Sequence, residues 1–253
     1  MVTILSAYSL NKMKYVKLII AALLIINSAW AQTDSTKKSS AKILIVPYAS
    51  MMYFSDADAD LARYSRIDEQ KLRNQLRLKL EANVSHQLMA KFDVVSLISA
   101  TSLNGEQDLK HIYAASQYYL AERKNAGKYS SKLFGKKSKK QALYVTDSTT
   151  MNADLGDPKL FQTLQQKYNN NYVLYITQFE ISTSNKNTIE WMKQEYKRTY
   201  ILHYNLFDAN GKLILAETLN LEAGSENTLT EINDKYFTEI GAKLREILAS
   251  RIN

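Results

Sequence analysis

The chain has 253 residues, 45% of them apolar and 23% charged, with 17 Tyr, seven Gly, two Pro and no Cys. That length can bury a core without staples, and the lack of Cys excludes disulfides, thiol nucleophiles and attachment through a lipidated N-terminal Cys. The formal charge of +8 hints at nucleic acid only until it is localised: residues 1–31 hold three lysines and no acid, residues 123–140 hold eight bases and no acid, and the rest is left at −3, so no nucleic-acid partner is expected.

Lys12, Lys14 and Lys17 precede the apolar run Leu18–Ile26, and Ala29-Trp30-Ala31 follows. A positive start, a short apolar core and an Ala-x-Ala end are the parts of a secretory signal peptide. We therefore expect residues 1–31 to be removed, with Met13 as a possible true start. The apolar run is too short to span a bilayer comfortably, so no transmembrane span is expected in the mature chain. Residues 32–41 read as a flexible Ser/Thr/Lys tether, and 42–253 as one domain in the periplasm or outside the cell.

Ile43-Leu44-Ile45-Val46 is a continuous, mostly β-branched run, which suits a strand covered on both faces. Pro47 cannot donate to a ladder, so pairing should weaken there. Ser55-Asp56-Ala57-Asp58-Ala59-Asp60 offers carboxylates suited to a helix start. From Asp68, Leu72, Leu76, Leu80, Val84 and Leu88 recur every four residues, predicting a long helix with one apolar stripe. Phe92–Ile98 is strand material. If it lies parallel beside Ile43–Val46, the helix between them is a crossover.

Asp108–Arg123 reads as a helix with Leu109, Ile112 and Leu120 on one face. Residues 124–141 form a basic, Gly- and Ser-containing insertion, read as a mobile loop. Leu143–Thr146 reads as a short edge strand, and Asp157-Pro158 opens a helix to Tyr168. Tyr172–Thr183, Tyr196–Phe207 and Lys212–Glu222 read as three antiparallel strands, the last two joined at Asn210-Gly211. Glu231–Ile252 closes the chain as an amphipathic helix. The whole predicts an α+β fold: one mixed sheet of about five strands, order β-α-β-α-α-β-β-β-α, with helices packed mainly on one face.

Chemistry-bearing patterns are sparse. The Asp56, Asp58, Asp60 triplet suggests a calcium loop, but an EF-hand counted from Asp56 needs Gly and Glu where Leu61 and Ile67 stand. Capping and solvated carboxylates, or a looser partner site at the carboxyl end of the first strand, remain as readings. His86, His111 and His203 have no neighbour at metal-ligand spacing, and neither a nucleophile elbow nor a phosphate loop occurs. Tyr196, Tyr200 and Tyr204 share one parity, suggesting either cross-strand packing or a glycan or peptide platform. No catalytic residue, metal ligand or cofactor is assigned. The candidate partner-binding residues are Tyr53, Ser55, Asp56 and Asp58, the loop lysines Lys136, Lys137, Lys139 and Lys140, and Trp191, a candidate surface anchor in a loop.

The order of elements, carried by Lys42–Tyr48, the Leu72–Leu88 helix, Phe92–Leu97, Tyr172–Thr177 and the Asn210-Gly211 hairpin, resembles a group of bacterial envelope domains. These are the amino-terminal domain of TolB, the periplasmic part of the curli secretion channel and the activator lipoproteins of penicillin-binding proteins. Tyr53–Asp58 together with Ile112-Tyr113 also resembles a family of secreted Bacteroidota proteins. The first resemblance implies docking onto envelope partners, and neither implies catalysis. The chain departs from the lipoprotein members in having no Cys to lipidate. The function expected is a non-catalytic periplasmic or secreted accessory module with an envelope protein or glycan as partner. Two alternatives stand beside it: a hydrolase of an envelope polymer using carboxylates such as Asp56, Asp58 or Glu180, and an adaptor whose basic loop meets an anionic membrane surface.

Overall fold

The structure is a computed structural model that describes residues 41–100, 104–122, 149–184, 189–193, 197–224 and 226–252. The signal-peptide segment 1–31, the tether up to residue 40, the basic insertion with its four candidate lysines, the expected strand at 143–146 and Tyr196 lie outside the described residues.

The apolar run at Lys42–Val46 is strand β1, and it sits inside a mixed sheet as its two-faced burial requires. It pairs in parallel with β3 (Asp93–Ser96), Ile43 opposite Val94, and with β6 (Tyr172–Thr183), Ile43 opposite Tyr172. The sheet runs β3-β1-β6-β7-β8, where β7 is Arg198–Asp208 and β8 is Leu213–Ala223, both antiparallel to their neighbours. A short strand β2 (Tyr53–Ser55) runs parallel to β6 further along, Tyr53 opposite Phe179. β1 and β2 thus form one strand line broken at Pro47, with a 3-10 turn at Ser50–Met52 inside the break.

Because side chains alternate along a strand, Ile43 and Ile45 enter one core and Leu44 and Val46 the other, all fully buried. Helix α1 (Asp58–Ser65), the long α2 (Glu69–Leu88) and the terminal α5 (Thr238–Ala249) cover the first face. Every residue of the stripe from Leu72 to Leu88 is fully buried there. α5 is entered through Thr228, whose side chain forms a capping box with Glu231, and a π-turn at Ile232–Phe237. Tyr200 and Tyr204 lie beneath these helices at zero exposure, Tyr200 against Phe179, Tyr236 and Phe237. Their parity is therefore cross-strand packing, and they offer no platform.

The second face is covered by α3 (Gly105–Ala115), α4 (Pro158–Tyr168) and a two-stranded sheet. The longest helices do share one face, while α3 and α4 occupy the opposite one. The expected helix Asp108–Arg123 is corrected here: α3 ends at Ala115, and Gln117–Glu122 is strand β4, paired antiparallel with β5 (Thr149–Asp154). Ser116 turns its hydroxyl back onto the Ile112 carbonyl at 2.7 Å, and Tyr118 reaches the Tyr175 hydroxyl at 2.6 Å. These tertiary bonds and the β-prone Tyr118-Tyr119-Leu120 override the helical spacing. β5 carries only Met151 and Ala153 as apolar side chains and gave no strand signal.

Candidate functional site

The break after β1 diverts two backbone carbonyls out of the sheet. Arg77 Nε donates to the Tyr48 carbonyl at 2.8 Å, and the Tyr113 hydroxyl donates to the Pro47 carbonyl at 2.7 Å. Arg77 Nη2 closes the loop by donating to the Tyr113 hydroxyl at 2.6 Å. Burial lifts the Tyr113 phenol to about 12 against the pull of the Arg77 guanidinium, so it remains a neutral partner. Arg77 is half-buried, and no carboxylate reaches it among the described residues. The Tyr48 ring packs against Tyr53 and Phe179, and its buried hydroxyl has no hydrogen-bond partner among the described residues.

One turn earlier on α2, Arg73 meets a different environment. Its Nε donates to Asp58 Oδ2 at 2.6 Å, and its Nη2 lies 3.4 Å from Glu69. The Tyr53 hydroxyl takes the other Asp58 oxygen at 2.6 Å, and burial followed by the Asp58 charge pushes its ionisation up. Two of the sequence candidates, Tyr53 and Asp58, are therefore brought together. Asp58 is only 5% exposed, which corrects its reading as a solvated carboxylate. Ser55 accepts from the Ala57 N–H at 3.0 Å, and Asp56 accepts from the Thr183 N–H at 2.9 Å, so both hold the turn that leads into α1. Trp191 lies in a helical turn, Ile189–Met192, rather than a loop.

Two hollows meet at Arg77. A cleft of about 110 Å³ lies between the strand break and α2, lined by Tyr48, Ser50, Tyr53, Gln70, Arg73 and Asn74 besides Arg77. A larger groove of about 570 Å³ runs between α2 and the start of α3, over the carboxyl end of β3. This is the end of the parallel strands where open sheets place ligands. Of the candidate residues found from sequence, Tyr53 lines the smaller cleft and none lines the larger groove. Arg73, Arg77 and Tyr113 were missed, because nothing in the residue pattern distinguishes Arg77 from the other bases on the wet side of α2.

A second polar cluster joins β5 to the main sheet. His203 is fully buried, and its Nδ1 accepts from the Met151 N–H at 3.2 Å, with the Thr218 hydroxyl at 2.8 Å. The proton is then on Nε2, which donates to Glu180 at 3.3 Å. Two residues on, Asn205 Oδ1 accepts from the Ala153 N–H at 2.8 Å, and Thr177 donates to the Met151 carbonyl at 2.6 Å. The open edge of β5 is thereby satisfied by side chains of the sheet. A hydroxyl, an imidazole and a carboxylate in a row resemble a nucleophile triad. Here a backbone N–H shares the imidazole lone pair that would take the hydroxyl's proton, and the ring is sealed from solvent. Nor do Asp58 and Glu180 converge. Tyr53 and Asp58 pack with Phe179 on the α1 face, and Glu180 points with His203 to the other. Among the described residues no group of three His, Asp or Glu could hold a metal ion, and no helix is long and apolar enough to cross a membrane.

No protein-family model matches the chain, and no curated protein does. Among solved structures, a hypothetical protein, CT253, from Chlamydia trachomatis is similar at 12% identity and a TM-score of 0.38, over 84% of this chain and 99% of that one. The PelC L103M dodecamer from Paraburkholderia phytofirmans is similar at 9% identity and a TM-score of 0.32, over 81% of this chain and 88% of that one.

Proposed function

We propose that the protein is a non-catalytic, exported binding module that serves a cell-envelope process through the hollows around Arg77. The observation that carries the reading is the state of the charged groups there. Arg77 is fixed from behind by two neutral acceptors and keeps its remaining N–H groups for a partner. Asp58 accepts from Tyr53 on one oxygen and from Arg73 on the other, and Glu106, a carboxylate that lines the larger groove, pairs with Lys110. Fixed donors without a free base or nucleophile are the equipment of recognition rather than turnover. The signal-peptide pattern of residues 12–31 supports export.

The test is cell fractionation combined with photo-crosslinking from position 78, which lines the groove, and from position 89, an exposed site further along the same helix chain. The expected result is protein in the envelope or medium, with a discrete crosslinked species from position 78 and none from position 89. Retention in the cytoplasm, identical crosslinking from both positions, or turnover of an envelope polymer by the purified protein would overturn the reading.

A further inference from the structure

The larger groove combines an apolar floor with a charge, that of Arg77, which no carboxylate answers among the described residues. Leu97, Ile98 and Leu109 form the floor, and Leu78 stands at its edge 48% exposed, although the α2 stripe residues from Leu72 to Leu88 are fully buried. The bases around it are not equivalent. Lys110 pairs with Glu106 at 2.9 Å, and Arg73 with Asp58 and Glu69. Arg77 alone of these has only neutral partners. A half-buried charge held by neutral dipoles gains most from a single opposite charge. A dianion would need a second uncompensated cation, and the neighbouring bases are already matched.

We propose that this groove binds an apolar monocarboxylate, with its carboxylate on the Arg77 guanidinium and its hydrocarbon part along Leu78, Leu97, Ile98 and Leu109. The proposal rests on the binding-module reading for its place in the cell, but its chemistry is tested separately. Two sources carry this chemistry, a fatty acid and the C-terminal residue of a peptide that ends in an apolar side chain. The guanidinium, oriented by Tyr48 and Tyr113, gives direction to the charge-assisted bonds, and the groove's length sets the fit of the tail.

The experiment is calorimetric titration of the purified protein with dodecanoate below its micellar range, and with a short peptide ending in Leu. Methyl dodecanoate, dodecyl phosphate and the amidated peptide serve as controls. Saturable one-to-one binding of at least one carboxylate is expected, weakened at least about tenfold in the ester or amide and in the variants Arg77→Gln and Leu78→Asp. Leu78→Asp alters an exposed side chain, so it tests the groove even if Arg77→Gln disturbs folding. The carboxylate that binds more tightly identifies the source. Absence of saturable binding, equal binding of the phosphate, or binding indifferent to Leu78→Asp overturns the proposal. The two readings fail separately: groove crosslinks in the envelope without carboxylate binding sink the ligand class alone, and carboxylate binding by a chain retained in the cytoplasm sinks the module reading alone.

Discussion

Replacing His203 by Ala should loosen β5 from the main sheet. The ring is fully buried, so its removal leaves a cavity. It also leaves the Met151 N–H, which points away from β4, without an acceptor. An orphaned buried donor costs about 1–3 kcal/mol. With the lost packing, about 3 kcal/mol is expected, a large fraction of the roughly 5–15 kcal/mol that holds a domain together. His203→Asn should recover about half of that loss, because Asn205 already reaches the Ala153 N–H from the equivalent position two residues on. Urea denaturation gives the stabilities, and amide exchange at Met151 reports the bond itself. An Ala variant within about 0.5 kcal/mol of the parent, or an Asn variant no better than Ala, would refute the account of β5 as a strand whose edge is satisfied by side chains.

Asp58→Ala strands the Tyr53 hydroxyl and releases Arg73, two charge-assisted bonds whose loss should cost about 2–3 kcal/mol by thermal or urea denaturation. Gly105→Ala should destabilise despite the better helix propensity of Ala, because a Cβ there would stand 2.3 Å from the Leu97 carbonyl oxygen; a loss of about 1–3 kcal/mol is expected, and a gain would contradict the packing of α3 on β3. Burial works against ionisation of Glu226, but hydrogen bonds from Lys235 at 2.5 Å and from Tyr236 outweigh it and hold the carboxyl at about 2, below its ordinary 4.5. A depressed carboxyl contributes stability above its unfolded value and loses it as the pH falls toward the folded one. Melting temperature should therefore fall less steeply between pH 4.5 and 2 in Glu226→Gln than in the parent.

The sheet and its covering helices were legible where burial is strong and the period is clean. Ile43–Val46 announced a strand covered on both sides, the four-residue recurrence of Leu announced α2, and Asn210-Gly211 announced a hairpin that Gly211 completes with a φ of 84°. The β4–β5 pair was not legible, for a physical reason. β5 has little apolar burial of its own, and the groups that dock it, His203, Asn205 and Thr177, lie on other strands, with no local pattern to mark them. The site divides in the same way. Tyr53 and Asp58 were visible as a polar turn after a strand, but the cation that Asp58 holds, Arg73, comes from α2, fifteen residues further on.

Pro47 connects the fold to the site. Without an N–H it cannot extend the β1 ladder, and the strand line resumes only at Tyr53. Carbonyls released from a ladder inside a folded domain must find donors, and here Tyr113 and Arg77 supply them from two different helices on opposite faces of the sheet. Satisfying the broken strand therefore draws a guanidinium to the carboxyl end of the parallel strands and fixes its direction there. The same bonds use neutral acceptors, so they position the charge without cancelling it. A break that only accommodated a proline could have been satisfied by water or by uncharged side chains. Meeting it with a half-buried arginine at the junction of two hollows leaves an attractive field where an anion can reach it.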